Sequence, residues 1–522
     1  MTVNVGAHQG GVRRCELVAA LSLATDLGLG VPQEHVLRQT LIASRLAQRA
    51  GFSEAEQAAV YYASLLAWVG CIADSSEMAG WFGDDRALRV DSYDVDKAGL
   101  PLMSFMLRHV AAGASPLRRL TTIGRFLAGG FREAERSLLT HCQTAGVLAE
   151  RLHLDEPVQV ALGQAFERWD GKGVPGQAAG DQIDPVMRVV QIADDAEVVS
   201  RVAGVDAAIE MLRARSGTEF DPALVDCAVT HAPEVLGEAA DPGDDAWGEV
   251  QRAMEAREVP LVGAELTAML SAFADYADLK SGPWAGHSRG VAELAVATAR
   301  ALQLGEADCV LVERAALVHD IGVLGVSSSI WDRRTPWTAA DRERVRTHPY
   351  LTERVLARPE DLAAIGSVAA LHHERLDGSG YPHGVRAGAI PVTARIVAVA
   401  DVLYALGETR VHRDAYPLAQ RQAIVRDAAR AGLLDADVVH AALGAAGHRV
   451  GRRADLPAGL TAREVDVLRH LVRGATNKDI ARELEISPRT VGSHVEHIYT
   501  KIGVSTRGAA ALYAMQQGLV DA

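Results

Sequence analysis

The stretch Glu167-Arg-Trp-Asp-Gly-Lys-Gly-Val-Pro175 returns 207 residues later as Glu374-Arg-Leu-Asp-Gly-Ser-Gly-Tyr-Pro382. The same offset carries Thr140-His141 onto Thr347-His348, Ile183 onto Ile390, Arg188 onto Arg395 and Asp194 onto Asp401. A chain that repeats itself at long period folds the repeat twice, so most of its length is committed to two copies of one architecture. Upstream, Glu16-Leu-Val-Ala-Ala-Leu-Ser22 echoes Glu265-Leu-Thr-Ala-Met-Leu-Ser271 at the larger offset of 265 − 16 = 249. The first copy therefore holds an insertion, placed within residues 74 to 135.

At 522 residues the chain suggests about three domains. Abundant Ala and Leu, 5% aromatics and little β-type alternation point to a mostly α protein. The longest apolar run, Val60 to Ala73, is broken by Trp68 and Gly70 and is shorter than the ~20 residues of a membrane span. No signal-peptide pattern opens the chain, and its five cysteines form no C-x-x-C pair. These features predict a cytoplasmic protein without a membrane partner. The reading divides the chain into a first copy (1–235), a linker (236–258), a second copy (259–446), a Gly/Arg-rich linker (447–459) and a C-terminal module (460–522). From Gly451 onward ten Lys/Arg face eight Asp/Glu, a balance of +2, which leaves −16 of the total −14 for the rest. The tail is electrostatically distinct.

The second copy carries His287, His319-Asp320, His348, His372-His373 and Asp401. Both adjacent pairs follow apolar helical runs, Ala315 to Val318 and Val368 to Leu371, which places them at the ends of buried helices. Neighbouring helical residues point ~100° apart, so one member of each pair can face one metal ion while the other faces a second. Imidazole with carboxylate suits Mn, Fe, Zn, Co or Ni. A pair of such ions suits phosphodiester hydrolysis, in which the attacking and leaving oxygens both need stabilising. Adjacent His-Asp and His-His at buried helix ends would be costly without metal, whereas His383 and His412 read as surface or loop residues. The first copy retains His141, Asp194 and His35, but reads Gly70-Cys71 opposite His319-Asp320 and Ala165-Phe166 opposite His372-His373. It is read as a degenerate, non-catalytic copy.

Gly286-His287-Ser288, His319-Asp-Ile-Gly322, Thr347-His348-Pro349, the His372 to Pro382 segment and Arg395-Ile-Val-Ala-Val-Ala-Asp401 resemble the HD-GYP subgroup of HD-domain phosphohydrolases, whose members hydrolyse cyclic dinucleotides, chiefly cyclic di-GMP. The resemblance implies that the seven residues hold metal, with Fe or Mn expected, that Asp320 is catalytic, and that Arg410 and Arg413 hold substrate phosphate. Pro283, where trinuclear members carry Glu, favours two metals. The chain departs from the family at Val323, normally Lys, and at Tyr404, normally Asp. A missing phosphate-contacting cation costs roughly 10- to 1000-fold in rate.

The tail reads as four helices. Thr461-Ala-Arg-Glu464 is a capping box, Asn477 caps a second helix, Ser487 with Pro488 opens a third that Gly503 ends, and a fourth runs from about Arg507 to Gln517. On the third, Val491, Val495, Ile498 and Ile502 form an apolar stripe opposite a polar face, as in a helix-turn-helix reader. Leu460-Thr-Ala-Arg-Glu464, Asn477-Lys-Asp-Ile-Ala481, Ile486-Ser-Pro-Arg-Thr-Val491 and Lys501-Ile-Gly-Val504 resemble the LuxR-type DNA-binding domain. That resemblance implies phosphate contacts from Asn477, Lys478, Arg489, Thr490, His497 and Lys501, and base-facing positions at Gly492, Ser493 and Glu496. The weak positive balance predicts a homodimer on two half-sites of double-stranded DNA. Two readings follow: a regulator with an active phosphodiesterase, or one whose metal domain senses the nucleotide without efficient turnover.

Overall fold

The computed structural model describes residues 11–95, 98–237, 245–254, 258, 260–447 and 457–520. Among these the elements of regular structure are helical apart from one antiparallel pair of two-residue strands, β1 (Val12–Arg13) and β2 (Pro260–Leu261). The first copy comprises α1 (Arg14–Leu29), α2 (His35–Arg49), α3 (Glu54–Leu66), α4 (Ser75–Phe82), α5 (Asp85–Asp91), α6 (Gly99–His109), α7 (Pro116–Arg125), α8 (Phe131–Arg151), α9 (Glu156–Leu162), α10 (Pro185–Ala203), α11 (Val205–Arg215) and α12 (Pro222–Thr230). After α13 (Ala246–Met254) the second copy follows with α14 (Gly263–Asp278), α15 (His287–Ala301), α16 (Glu306–Val318), α17 (Ser328–Trp331), α18 (Ala339–Arg346), α19 (His348–Leu356), α20 (Ala363–Ala369), α21 (Val392–Ala405), α22 (Leu418–Arg430) and α23 (Ala436–Gly447). The C-terminal module is α24 (Ala462–Val472), α25 (Asn477–Glu483), α26 (Pro488–Ile502) and α27 (Arg507–Gln516). No single described helix is long and apolar enough to cross a membrane; one pair, Glu54–Ile72 with Ser75–Phe82, passes by length and composition but is bent by 56°.

α1 and α14 are apolar nearly all round, and such helices belong in a core. They lie where the copies meet, and one hydrophobic core runs through both. β1 pairs with β2 at matching positions of the two copies, Val12 with Leu261 and Arg13 with Pro260, so the halves face each other as an internal pseudo-dimer. A buried hydrogen bond joins Thr25 Oγ1 to Tyr276 Oη at 3.1 Å across this interface, and Arg151 pairs with Asp275 at 2.6 Å.

The insertion is the four helices α4 to α7, within the expected limits. It is also a clamp. Asp85 on α5 is fully buried against Lys280 of the second copy at 3.3 Å and accepts from the Ser327 hydroxyl at 2.8 Å, while Arg86 donates to the Gly325 carbonyl at 2.9 Å. Removing one partner of a buried pair typically costs about 3–5 kcal/mol, because the other charge is left uncompensated.

Three expectations need correction. The stretch read as linker 236–258 contains α13, whose Ala246, Val250 and Met254 are buried and whose Val250 carbonyl accepts from Tyr61. It therefore packs with the first copy rather than spanning a gap. Residues 238–244 and 255–257 of that stretch, and 448–456 of the Gly/Arg-rich linker, lie outside the described residues. Second, α25 is capped by Thr476, which accepts from Asp479 N in a capping box, and Asn477 is its first helical residue. Third, the offset between copies changes inside the repeat. α1 and α14 match at 249, but the connection to the next helix is three residues shorter in the first copy, so α2 and α3 match α15 and α16 at 252. Ala67-Trp68, not Gly70-Cys71, thus stand opposite His319-Asp320.

α24, α26 and α27 begin as the punctuation predicts. Thr461 and Glu464 cap reciprocally, Ser487 accepts from Thr490 N ahead of Pro488, and Gly503 closes α26 in the left-handed conformation. Val491 and Ile498 are buried in the module's own core.

Candidate metal centre

The seven predicted residues converge. His319 ends α16, His348 begins α19, His372 and His373 follow α20, His287 begins α15 and Asp401 lies on α21. Asp320 stands in the middle. Its Oδ1 is 3.4 Å from His348 Nε2 and 3.5 Å from His372 Nε2, whereas its Oδ2 is 3.4 Å from His319 Nε2 and 3.8 Å from His287 Nε2. His287 Nε2 also lies 3.4 Å from Asp401 Oδ1. Two groups of donor atoms, His348/His372/His373 and His287/His319/Asp401, each fall within 4.8 Å of one another, with Asp320 between them. Among the described residues, such groups occur in the second copy and not in the first.

The ring orientations are set from behind. His319, His348 and His372 each direct Nδ1 to the carbonyl three residues earlier, Ala316 at 2.7 Å, Val345 at 2.6 Å and Ala369 at 2.7 Å. That places the proton on Nδ1 and turns a bare Nε2 inward. His348 Nε2 and His372 Nε2 are then 3.1 Å apart with neither holding a proton to share, and buried His319 Nε2 has no hydrogen-bond partner. Acceptors crowded in this way fit a cation between them. Burial pushes His348 down to about 4 despite Asp320, and lowers His319 and His373 as well. Burial alone would raise Asp320 and Asp401, but the surrounding imidazoles hold both well below the usual carboxylate range. Neutral imidazoles and ionised carboxylates are the states ligation requires.

One residue at the centre carried no sequence signal. Glu408 accepts from His287 Nδ1 at 3.0 Å and pairs with Arg410 at 2.6 Å. Burial opposes charge on His287, yet Glu408 and Asp401 outweigh it and raise its pKa well above normal. The motif loop is organised by buried Glu374, which accepts from the backbone of His383, Gly384 and Val385 at 2.7, 3.0 and 3.1 Å. A Cβ on Gly380 would lie 2.4 Å from Arg375 N, so only glycine fits there. The loop presents Tyr381 against His373, ring centroids 4.7 Å apart.

A pocket of about 350 Å³ opens on the centre, with His287, Asp320, His373 and Asp401 at its floor and Trp284, Trp331 and Trp337 in its walls. Arg410 and Arg413 line it, Arg410 lying over Trp284 and paired with Glu408, Arg413 donating to the Glu408 and Ala405 carbonyls at 3.0 and 2.6 Å. His412, read from the sequence as a surface residue, is exposed but also lines this pocket. Val323, the position at which the sequence departs from the resemblance, is in the wall. Tyr404 is accommodated by Gly290, where a Cβ would overlap its ring at 1.9 Å.

In the first copy His35 lies 3.2 Å from Asp194, but His141 is turned away, its Nε2 on the Ala67 carbonyl at 2.6 Å and its ring against Phe166. The three retained residues form no common site. In the tail Asn477, Lys478, Arg489, Thr490, Ser493, Glu496 and His497 are exposed and Gly492 is half-buried. Lys501 bonds to Glu464 at 2.7 Å and to the Gly459 carbonyl at 3.0 Å.

Two packed helical copies, one with a metal-type constellation, and a four-helix reader define the class: a phosphohydrolase-type domain joined to a DNA-binding module. The HD domain family matches residues 129–224 and 271–438, thus both copies, and the luxR family of bacterial regulatory proteins matches residues 458–514. The chain belongs to the HD-domain family and carries a C-terminal LuxR-type domain. It is 30% identical over 419 residues, 79% of this chain and 90% of the relative, to the 3'3'-cGAMP-specific phosphodiesterase 3 of Vibrio cholerae. It is 33% identical over 151 residues, 28% of this chain and 40% of the relative, to the cyclic di-GMP phosphodiesterase response regulator RpfG of Xanthomonas campestris. The crystal structure of the V. cholerae cyclic GMP-AMP specific phosphodiesterase V-cGAP3 superposes with a TM-score of 0.58 at 26% identity, covering 84% of this chain and 99% of that one.

Proposed function

We propose that this protein is a cytoplasmic, homodimeric regulator whose second copy hydrolyses 3′,3′-cyclic dinucleotides and whose tail binds double-stranded DNA at paired half-sites. The observation that carries the reading is Asp320, with one oxygen toward each of two donor groups at the floor of an aromatic and cationic pocket. His287, His319, His348, His372, His373, Asp320 and Asp401 would hold two divalent ions, Fe or Mn, which would supply the charge that stabilises the attacking and leaving oxygens of the phosphodiester. Asp320 would offer one oxygen to each group of donors, and catalysis would depend on it. Arg410 and Arg413 hold the phosphates, and the tryptophan walls face the bases, where base–aromatic stacking is worth ~1–3 kcal/mol each. In the tail Asn477, Lys478, Arg489, Thr490, His497 and Lys501 contact phosphates, while Gly492, Ser493 and Glu496 face base edges. Lys501 would have to leave Glu464 to do so.

The 30% likeness to a 3'3'-cGAMP phosphodiesterase over most of the chain supports this substrate class. Val323 favours a second reading, a nucleotide sensor with slow turnover. One experiment separates them: the Mn- or Fe-loaded full chain is incubated with cyclic di-GMP and with 3′,3′-cGAMP beside Asp320→Ala, and products are resolved by chromatography. Turnover by the wild type, reduced about 1000-fold in the variant, is the expected result. Binding without turnover identifies the sensor, and neither binding nor turnover rejects the substrate class.

A further inference from the structure

Where the second copy has His319, Asp320, His372, His373 and Asp401, the first has Ala67, Trp68, Ala165, Phe166 and Asp194. All of these but Ala67 line a partly open cavity of about 260 Å³. The insertion forms its roof, with Phe82 from α4, Leu88 from α5 and Phe105 and Met106 from α6. What was a metal-type centre in one copy is thus an aromatic and aliphatic chamber in the other. The charged groups around it are matched among themselves. Asp194 meets His35 and the Tyr93 hydroxyl at 3.2 Å each, Arg89 pairs with Asp74 at 2.7 Å and Asp85 at 3.4 Å, and Arg168 lies 3.2 Å from Asp170 and 3.6 Å from Glu219. A phosphate entering here would compete with a carboxylate for every one of those arginines. Apolar walls with a few satisfied polar groups suit a ligand that removes apolar surface from water.

The walls of the cavity also touch both working parts of the molecule. α5 supplies Leu88, and its Asp85 and Arg86 hold Lys280, Ser327 and the Gly325 carbonyl in the second copy, the last at the end of the turn that follows Asp320. α8 supplies Ala134 and Leu138 and carries Gln143, whose side chain donates to Ser505 of the tail at 3.0 Å. We propose that this cavity is an effector site for an uncharged, largely apolar small molecule such as a substituted aromatic, and that its occupancy is communicated through α5 and α8. The binding does not depend on the second copy being a phosphodiesterase.

The test is titration of the full chain with the neutral fluorophore N-phenyl-1-naphthylamine. Saturable one-to-one binding is expected, unaffected by excess cyclic di-GMP, and weakened about tenfold or more by Ala134→Phe or Met106→Trp, whichever retains the wild-type melting temperature. Hydrogen exchange on the wild type needs no variant and should slow in α5 and α6 on saturation. Absence of saturable binding, displacement by cyclic di-GMP, or slowing confined to the second copy would overturn the proposal. Failure of nucleotide hydrolysis leaves all of these readouts intact, so the two ideas stand or fall separately.

Discussion

Glu408 belongs to no motif, yet it fixes the ring of His287 from the side opposite the centre. A carboxylate on the outer nitrogen of a ligating imidazole sets its tautomer and raises its basicity, and losing such a partner typically costs about 10- to 100-fold in metal affinity. Glu408→Gln keeps the size and loses the charge. Its expected effect is a loss of Mn affinity in that range, read by calorimetric titration of metal-free protein; unchanged affinity would reduce Glu408 to an anchor for Arg410. The convergence of the seven residues was legible because His-Asp and His-His pairs at the ends of apolar helices have few other uses. Glu408 was not, since an acidic residue in a loop is ordinary until its neighbour across the fold is known. The first copy handles the same place differently. Glu197 replaces Tyr404, Arg201 replaces Glu408 and Arg38 replaces Gly290, so His35 is held between Asp194 and Glu197 and Glu197 is held in turn by Arg38 and Arg201.

That exchange ties two elements together. His35 opens α2, while Asp194 and Glu197 lie on α10, so the buried cluster is a bolt between helices. Burial disfavours charge on His35, but the two carboxylates overcome it and push the ring up to about 10 from its usual 6.5. Burial likewise acts against Glu197, and His35 with the arginines brings it down to about 2 from 4.5. For the histidine, stabilisation is complete below pH 6.5 and is lost as pH rises through about 10. For the glutamate it is complete above pH 4.5 and lost as pH falls through about 2. On the alkaline side the loss is on the order of 2–4 kcal/mol. Calorimetric melting of wild type between pH 6.5 and 10 should show a falling melting temperature that His35→Gln flattens; parallel curves would reject the bolt. At this scale the sequence served well for helix starts in the tail, where Thr461 and Ser487 cap as their spacing requires. It misplaced the cap of α25 by one residue because Thr476 and Asn477 both have capping chemistry, and only the reciprocal bond from Asp479 decides. It misaligned Ala67-Trp68 because a three-residue change in one connection leaves no mark when the flanking helices are both Ala- and Leu-rich.

The C-terminal module rests on both copies. Gly508 on α27 meets α8, where a Cβ would come within 2.8 Å of Thr140 Cγ2 and 3.3 Å of Ala73 Cβ, and the turn at Gly282, just ahead of His287, approaches the backbone of Gly474 at 3.3 Å from its own Cβ position. Gly508→Gln should therefore lift the module from its seat without disturbing its own core. Small-angle scattering should report a radius of gyration larger by several Å, as for a released domain, with helical content unchanged; an unaltered radius would show that the contact does not hold the module. None of this docking was visible beforehand, because contacts between modules are set by shape, and glycine advertises a close approach only when its neighbour is known. The duplication, by contrast, was plain at the level of whole copies, since nine consecutive positions with the same glycines recur.

The rearranged charges around His35 commit the first copy to a structural use of the place that the second copy keeps open. To present the same seven side chains, the first copy would need histidines at 67, 165 and 166 and an aspartate at 68, while Arg38 and Arg201 hold Glu197 on the outer nitrogen of His35, where the second copy has Glu408. Those four exchanges complete the set only together, and His35 is meanwhile committed to the bolt that holds α2 to α10. The two halves of this chain, alike in outline, are therefore put to different work: in one His35 locks two helices together, in the other His287 looks into an open pocket.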